Sequence, residues 1–319
     1  MNLKFFENLK QIKGDASIRK FYRKKNKNKN SIIVFAKKEK IKNLLIYDAV
    51  NKILIKNKIY APKLFSENYR KNFIEIEDFG NTTIYQILKS KKKNKFFFFK
   101  KIIDLLNKIQ SIKDKKIKSF NNKFYKVKVY EHKFLLTEAK LFCDWYVPKN
   151  LSKKRVFIFN RKLKKQLKFL ISKIILKNDT FVHRDFHVSN MMYHKKKIGL
   201  IDSQDALIGN KAYDLASLID DVRFKTSNNL KNKIYNYYLK TSNKVIHNKF
   251  KNDFEILSVL RNLKIIGIFT RLAQRDNKKS YLKFIPYAWK LINLRINKNK
   301  VFEELQKILK LDFSKEINR

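Results

Sequence analysis

A chain of 319 residues, 44% hydrophobic and 14% aromatic, is long enough to bury a full core and too apolar to be a disordered tail. Its 76 Lys and Arg against 27 Asp and Glu give a formal charge of +49, which raises nucleic acid or an anionic membrane as a partner. The lysines travel with Asn, Ile and Phe along the whole length and gather in no single arm, as AT-rich coding bias and a solvated surface would produce, so no dedicated nucleic-acid partner is expected.

A single cysteine, Cys143, excludes an internal disulfide and a thiolate metal cluster and fits a reducing cytoplasm. No apolar segment follows Met1-Asn2-Leu3-Lys4, so no signal peptide is expected. The run Phe96-Phe97-Phe98-Phe99 is closed at once by Lys100-Lys101, far short of the roughly 20 apolar residues of a membrane span; it reads as one crowded face of a buried helix. No membrane partner is expected. With 5 Gly and 3 Pro the chain has little punctuation, which predicts long helices joined by Lys/Asn-rich turns.

In chain order, residues 1–13 read as a short amphipathic helix, broken at Gly14-Asp15-Ala16-Ser17. Ile18 to Arg23 reads as a strand and Lys24 to Asn30 as a hairpin turn. Ser31 to Ala36, β-branched and apolar, is a second strand. Ile41, Leu44, Leu45, Ala49, Ile53 and Leu54 recur at helical spacing over 39–58. Phe73-Ile74-Glu75-Ile76-Glu77 alternates as a strand and ends at Asp78-Phe79-Gly80. Beyond Asn81 helices are expected near 82–112, 130–146 and 155–177. Two short strands joined by His194 to Lys197 follow within 181–202, then helices near 211–222, 229–241, 250–274, 280–294 and 300–311. The pattern is α+β and bilobal: a small sheet lobe over 1–80, a hinge near 77–81, and a mostly helical lobe over 81–319. It shows no internal repeat or heptad run.

The chemistry is concentrated in Phe181-Val182-His183-Arg184-Asp185-Phe186-His187-Val188-Ser189-Asn190, followed by Ile198-Gly199-Leu200-Ile201-Asp202. Phosphoryl transfer needs a carboxylate near the acceptor hydroxyl and oxygen ligands for the Mg²⁺ that neutralises the phosphates. Asp185 on the loop is the candidate base, Asn190 supplies an amide oxygen to the metal, and Asp202, leaving a short strand, supplies the main metal carboxylate. His183, placed with Asp185 in the catalytic set, is read as bracing the loop by hydrogen bonds. The remaining histidines lack metal-ligand spacing, so no zinc site is proposed.

The pattern His-x-Asp-x-x-x-x-Asn at His183, Asp185 and Asn190, with a metal-binding Asp at 202, resembles the aminoglycoside phosphotransferase branch of the protein-kinase-like fold. That resemblance implies a small antiparallel-sheet N-lobe over a mostly helical C-lobe, with ATP in the cleft and two Mg²⁺ ions. Gly14 to Arg23, Glu138 to Tyr146, Asp202 to Gly209, Tyr213 to Leu218 and Gly267 to Asp276 are similar to blocks of bacterial anomeric kinases of N-acetylmuramate and N-acetylglucosamine. Those enzymes phosphorylate the sugar 1-hydroxyl in cell wall recycling. The resemblance spans about residues 14 to 294. It implies an ATP- and Mg-dependent kinase, monomeric and cytoplasmic, with an amino sugar as the hydroxyl acceptor. Alternatives are an aminoglycoside, choline or homoserine kinase of the same fold, a nucleotide-sensing pseudokinase, or a basic RNA-binding protein on a kinase scaffold.

Several side chains keep two readings. Gly14, Asp15 and Ser17 form either a flap over the ATP phosphates or an ordinary capped turn. Asp205 faces the acceptor or caps its turn. Arg271 and Arg275, four apart on one helical face, receive a substrate anion or pair with Asp276 or Asp253. Trp145 and Tyr146 stack on a sugar or belong to the core. In such folds Asp214 would support the catalytic loop, and adenine would bond to backbone near Glu77 and Phe79. Two departures stand out. Ser203 occupies a place where relatives usually carry an aromatic residue, and the phosphate-gripping Lys has only Lys37 as a candidate. Asp78-Phe79-Gly80, upstream of the catalytic loop, is read as a decoy for the metal motif.

Overall fold

In the computed structural model, which describes residues 9–12, 19–25, 30–36, 43–90, 94–242, 246–297 and 299–317, the N-terminal part is a sheet. Strands β1 (Lys10–Ile12), β2 (Lys20–Lys24), β3 (Ser31–Phe35), β4 (Leu64–Asn68) and β5 (Phe73–Glu77) are joined in the order β1-β2-β3-β5-β4, all antiparallel. β3 is buried at every position, as its β-branched, apolar sequence suits a central strand. Helix α1 (Asn43–Lys56) lays Leu44 and Tyr47 against Ile32, Val34, Ile74 and Ile76, which face one way by the period of two.

By proximity the chain forms two compact units, one of Met1–Lys128 with His183–Ile208 and one of Val129–Val182 with Gly209–Arg319. The sheet does end at residue 77, but the first unit also takes in α2 (Ile84–Lys89), α3 (Lys95–Gln110), the strand pair β6 (Lys116–Lys118) and β7 (Phe124–Lys126), and the motif segment. The reason is backbone bonding. The motif hairpin, Met191–His194 against Lys197–Leu200, donates from Tyr193 N to Thr82 O at 2.8 Å and from Leu200 N to Tyr60 O at 2.8 Å. Thr83 starts α2 with a reciprocal capping box to Gln86, which fixes the chain just past the hinge.

The second unit is built on helices α4 (His132–Ala139), α5 (Val147–Asn150), α6 (Lys153–Ser172), α7 (Ala212–Ile219), α8 (Asn228–Thr241), α9 (His247–Arg275), α10 (Ile285–Ile296) and α11 (Glu303–Ile317), with the strand Asn178–Val182. Phe142, Tyr146, Phe159, Trp289 and Phe313 pack ring on ring in its core, with Trp289 Nε1 donating to Tyr146 Oη at 3.2 Å. Asp220 is fully buried between Lys231 at 3.0 Å and Arg295 at 2.9 Å, and accepts from Ser258 at 2.6 Å. Burial alone would raise its carboxyl; the two cations outweigh burial and hold it well below the ordinary range. Among the described residues no helix is long and apolar enough to cross a membrane.

Several expectations are corrected. Residues 10–12 are a strand, because pairing with β2 outweighs the apparent helical period; residues 1–8 lie outside the described part. β4 was missed, since Phe65 to Glu67 are exposed on an edge and show no alternation. The helix expected over 82–112 is two, separated after Ser90 and restarted by Asn94, whose side chain accepts from Phe97 N. Four consecutive phenylalanines cannot share one helical face at 100° per residue: Phe99 is buried while Phe97 is 50% exposed. The helix expected over 130–146 ends at Ala139 and gives way to a π-helical turn, Phe142–Tyr146. Phe181 and Val182 end a separate strand, and the hairpin turn is Lys195-Lys196, both with positive φ.

α9 approaches a neighbouring backbone at Gly267, where a Cβ would lie 2.3 Å from the carbonyl carbon of Leu141 and 2.6 Å from Phe142 N. Backbone cannot swing aside as a side chain can. Gly267→Ala should therefore cost about 1–3 kcal/mol of stability by overpacking, read as a Tm lowered by several degrees in a circular-dichroism melt.

Candidate active site

The catalytic-loop segment begins at His183, directly after the strand Asn178–Val182. Its geometry is set by backbone bonds that the residue spacing makes possible. The Asp185 carbonyl accepts from His187 N at 3.0 Å and from Asn190 Nδ2 at 3.1 Å, and Asn190 N donates to His187 O at 2.9 Å. Asn190 Nδ2 is thus turned into the loop, 3.4 Å from His187 Nε2. The amide oxygen is left pointing away from these bonds and, among the described residues, accepts none. Asp185 itself is partly exposed.

Ile201 ties this loop to the second carboxylate. Its N–H donates to Asn190 O at 3.1 Å, and its carbonyl accepts from His183 Nε2 at 3.1 Å. A carbonyl only accepts, so Nε2 carries the proton. The His183 ring is fully buried, and this bond braces the loop. Because Asp202 is the next residue, the two backbone groups of Ile201, in successive peptide units, tie the Asn190 backbone and the His183 ring to the chain that enters Asp202.

Arg184 and Asp202 have left-handed backbones, φ 73° and 63°. For a side chain other than glycine this costs about 1–2 kcal/mol per residue, so the surrounding bonds must over-determine both turns. Asp202 opens a 3₁₀ turn, Ser203–Asp205, and its Oδ1 accepts from Arg19 Nη2 at 2.5 Å and Gln204 Nε2 at 3.2 Å. Oδ2 has no hydrogen-bond partner among the described residues, and the side chain is 36% exposed. Two oxygens, Asn190 Oδ1 and Asp202 Oδ2, are therefore presented from a bonded frame. Hard oxygen donors of this kind suit Mg²⁺, which takes few protein ligands and completes its shell with phosphate and water. Among the described residues no group of three or more His, Cys, Asp and Glu side chains is placed to hold a metal by itself.

Arg19 escaped the sequence reading. It is 6% exposed, its Nη1 donates to Gln204 Oε1 at 2.8 Å, and its guanidinium lies 5.6 Å from the Phe21 ring and 5.7 Å from the Tyr47 ring. The signal available was alternation: Arg19 shares a strand face with Phe21, and a cation on an apolar face asks for a buried partner. Ser203, the departure noted above, is fully buried and donates to Asn51 Oδ1 on α1 at 2.6 Å, while Asn51 Nδ2 reaches Pro62 O at 3.3 Å. A hydroxyl-to-amide bond fills the place expected for an aromatic ring.

At the end of β5, Glu77 N donates to Lys63 O at 2.9 Å, whereas the Phe79 N–H and carbonyl make no hydrogen bond among the described residues. The Phe79 ring lies against Gly199, where a Cβ would come within 2.5 Å of it, and beside Tyr60 and His194 at ring-centroid distances of 4.3 and 5.5 Å. Tyr60 Oη is 2.5 Å from His194 Nδ1, and burial together with the Glu77 carboxylate pushes this phenol up to about 12. Asp78 takes both Arg23 Nε at 2.6 Å and Arg23 Nη2 at 3.0 Å, with Gly80 N at 2.8 Å; its carboxylate is used in shaping the turn that follows β5.

Of the other candidates, Asp205 is exposed, and its Oδ2 accepts from Gln204 Nε2 at 2.9 Å. Arg275 is bonded twice to Asp276, at 2.8 and 3.0 Å. Arg271 is half-buried, and its Nε lacks a hydrogen-bond partner among the described residues. Asp253 serves elsewhere, accepting from Ile175 N, Leu176 N and Asn210 Nδ2 at 2.9, 2.8 and 2.7 Å. Asp214 is fully buried in the first turn of α7, and Tyr146 is a core residue. Gly14, Asp15, Ser17 and Lys37 lie outside the described residues.

Comparison with known proteins agrees with this architecture. The model of the APH phosphotransferase enzyme family matches residues 8–245. The chain is similar to an N-acetylmuramate/N-acetylglucosamine kinase of Neisseria meningitidis serogroup B, 25% identical over 281 residues, which is 85% of this chain and 80% of the relative. It is likewise similar to the enzyme of the same name from Pseudomonas putida, 25% identical over 302 residues, 92% of this chain and 85% of the relative. Among solved structures, amicoumacin kinase hAmiN in complex with AMP-PNP, Ca²⁺ and Ami superposes with a TM-score of 0.63 at 13% identity, covering 90% of this chain and 89% of that one. The chain belongs to the APH phosphotransferase enzyme family and is a small-molecule kinase with the protein-kinase-like fold.

Proposed function

We propose that the chain transfers the γ-phosphate of Mg-ATP to a hydroxyl of an amino sugar, specifically the 1-hydroxyl of N-acetylmuramate or N-acetylglucosamine. The observation that carries the reading is the pair of Ile201 backbone bonds, which tie the Asp185–Asn190 loop to the residue before Asp202, beside two side-chain oxygens that have no hydrogen-bond partner among the described residues. The names of the relatives supply the acceptor class.

Adenine bonds to the free backbone groups of Phe79, with Glu77 contributing at the same edge. Asn190 and Asp202 would hold Mg²⁺, which would supply positive charge to neutralise the phosphates. Asp185 accepts the proton of the acceptor hydroxyl; that oxygen bonds to the γ-phosphorus as the bond to the β–γ bridging oxygen breaks, and ADP leaves. His183 keeps Asp185 in place. Gly14, Asp15 and Ser17 close over the phosphates, and Lys37 remains a candidate for a phosphate contact. On the acceptor side the candidates are Asp205, Arg271 and Arg275, of which Arg271 has the unpaired Nε and Arg275 must first leave Asp276. Asp214 is assigned a supporting role.

Asp185→Asn keeps the shape and removes the proton acceptor. Turnover should fall by about 10²–10⁴ with nucleotide affinity nearly unchanged; full activity in the variant sinks the assignment. Asp202→Ala should weaken Mg-ATP but not metal-free ATP, a difference that calorimetry with and without Mg²⁺ measures. Phosphorus NMR of ATP incubated with either sugar should show a sugar 1-phosphate resonance. A signal arising only with aminoglycosides, choline or homoserine would move the acceptor, tight RNA binding without any turnover would favour the RNA-binding reading, and ATP binding without phosphate transfer the nucleotide-sensing pseudokinase.

A further inference from the structure

The site as read contains an unusual juxtaposition: the carboxylate assigned to the metal already holds a cation. Arg19 Nη2 lies 2.5 Å from Asp202 Oδ1, with side-chain exposures of 4% and 36%. The guanidinium has little room to leave. It sits between the faces of Phe21 and Tyr47 and is bonded to Gln204, itself 7% exposed. Tyr47 is 3% exposed, and burial pushes its hydroxyl up to about 12 against the opposing pull of Arg19. Burying the guanidinium while its carboxylate partner stays over a third exposed costs desolvation that the pair does not fully return, so stability alone does not account for a charge in this slot.

Resting on the Mg-ATP reading of the site, we infer that Arg19 is a positioning residue that makes metal entry depend on the nucleotide. Its bond to Oδ1 sets the rotamer of Asp202 so that Oδ2 is the oxygen presented. Its fixed charge offsets the carboxylate, so a bare divalent cation meets one neutral amide oxygen and one half-neutralised carboxylate. A cation that arrives with a triphosphate brings its own negative charge. The same guanidinium that repels the free ion then attracts the complex. Charge–charge interactions are stronger at a protein surface than in bulk water, so the sign of the Arg19 charge decides which species binds. Arg19 thereby supplies the permanent positive charge for which the sequence offered Lys37.

The test compares wild type with Arg19→Met, which fills the slot between the rings without charge, and Arg19→Lys, which keeps the charge and loses the two-point grip. Mn²⁺ binding without nucleotide is read by electron paramagnetic resonance of the free ion, Mg·AMP-PNP binding by calorimetry, and folding by thermal melts. Arg19→Met should bind Mn²⁺ about three- to tenfold more tightly and Mg·AMP-PNP about tenfold more weakly. These opposed shifts would not arise from general damage. Arg19→Lys should bind Mn²⁺ as weakly as wild type while kcat falls. Should Arg19→Met fail to fold, the lysine variant decides alone: a change in its Mn²⁺ affinity matching its loss of kcat overturns the inference. So does a folded Arg19→Met that binds Mn²⁺ no more tightly than wild type. Wild-type protein that binds no Mg·AMP-PNP refutes the nucleotide site itself, a distinct failure from the other two.

Discussion

The division of one carboxylate between protein and solvent governs the rest of the candidate site. Asp202 gives Oδ1 to Arg19 and Gln204 and keeps Oδ2 outward. A carboxylate with both oxygens bonded to the protein would be a structural anion, and one with neither bonded would rotate. Half-commitment yields a ligand with a direction. The same logic applies at Asn190, whose amide nitrogen is bonded to the loop so that its oxygen is the end left over. In both residues the orientation is imposed by neighbours rather than by the ligand, which is the condition for low reorganisation when charge develops in a transition state.

The cost of that geometry falls on the backbone. Arg184 and Asp202 hold left-handed conformations on either side of the hairpin, and neither is glycine. Ile201 offsets this with two bonds from one residue, its N–H to Asn190 and its carbonyl to His183. The hairpin between them is anchored at both ends, by Tyr193 to Thr82 and by Leu200 to Tyr60. A chain with 5 glycines uses one of them, Gly199, on the strand face where the Phe79 ring leaves no space for a Cβ. The left-handed turns at Arg184 and Asp202 are held by hydrogen bonds and not by permissive residues.

How much of this was legible beforehand varies with the range of the interaction. β3 and β5 were readable because their apolar and alternating patterns are local; Asp185, Asn190 and Asp202 are candidates because phosphoryl transfer would need those residue types at short spacing. Arg19 was not, since its partner is 183 residues away in sequence and strand alternation alone does not name it. Ser203 looked like a defect in packing for the same reason: its meaning lies in Asn51, on a helix 152 residues upstream. β4 was lost because an edge strand with exposed Phe65, Ser66 and Glu67 carries no buried face to report. The Phe96 to Phe99 run misled in the other direction, because composition was read where only angular position decides burial.

Asn51 and Tyr47 also explain why α1 matters to a site it does not enter. Four residues apart, they lie on one side of the helix. Tyr47 packs into the sheet core and beside Arg19, and Asn51 accepts from Ser203, the residue after Asp202. A shift of α1 along its axis would therefore act on Asp202 from two sides at once, through the cation on Oδ1 and through the turn that follows. The helix reaches the site through the packing of Tyr47 and the neutral hydrogen bond between Ser203 and Asn51. Its influence on the carboxylate is consequently less exposed to salt screening than an ion pair at the surface would be.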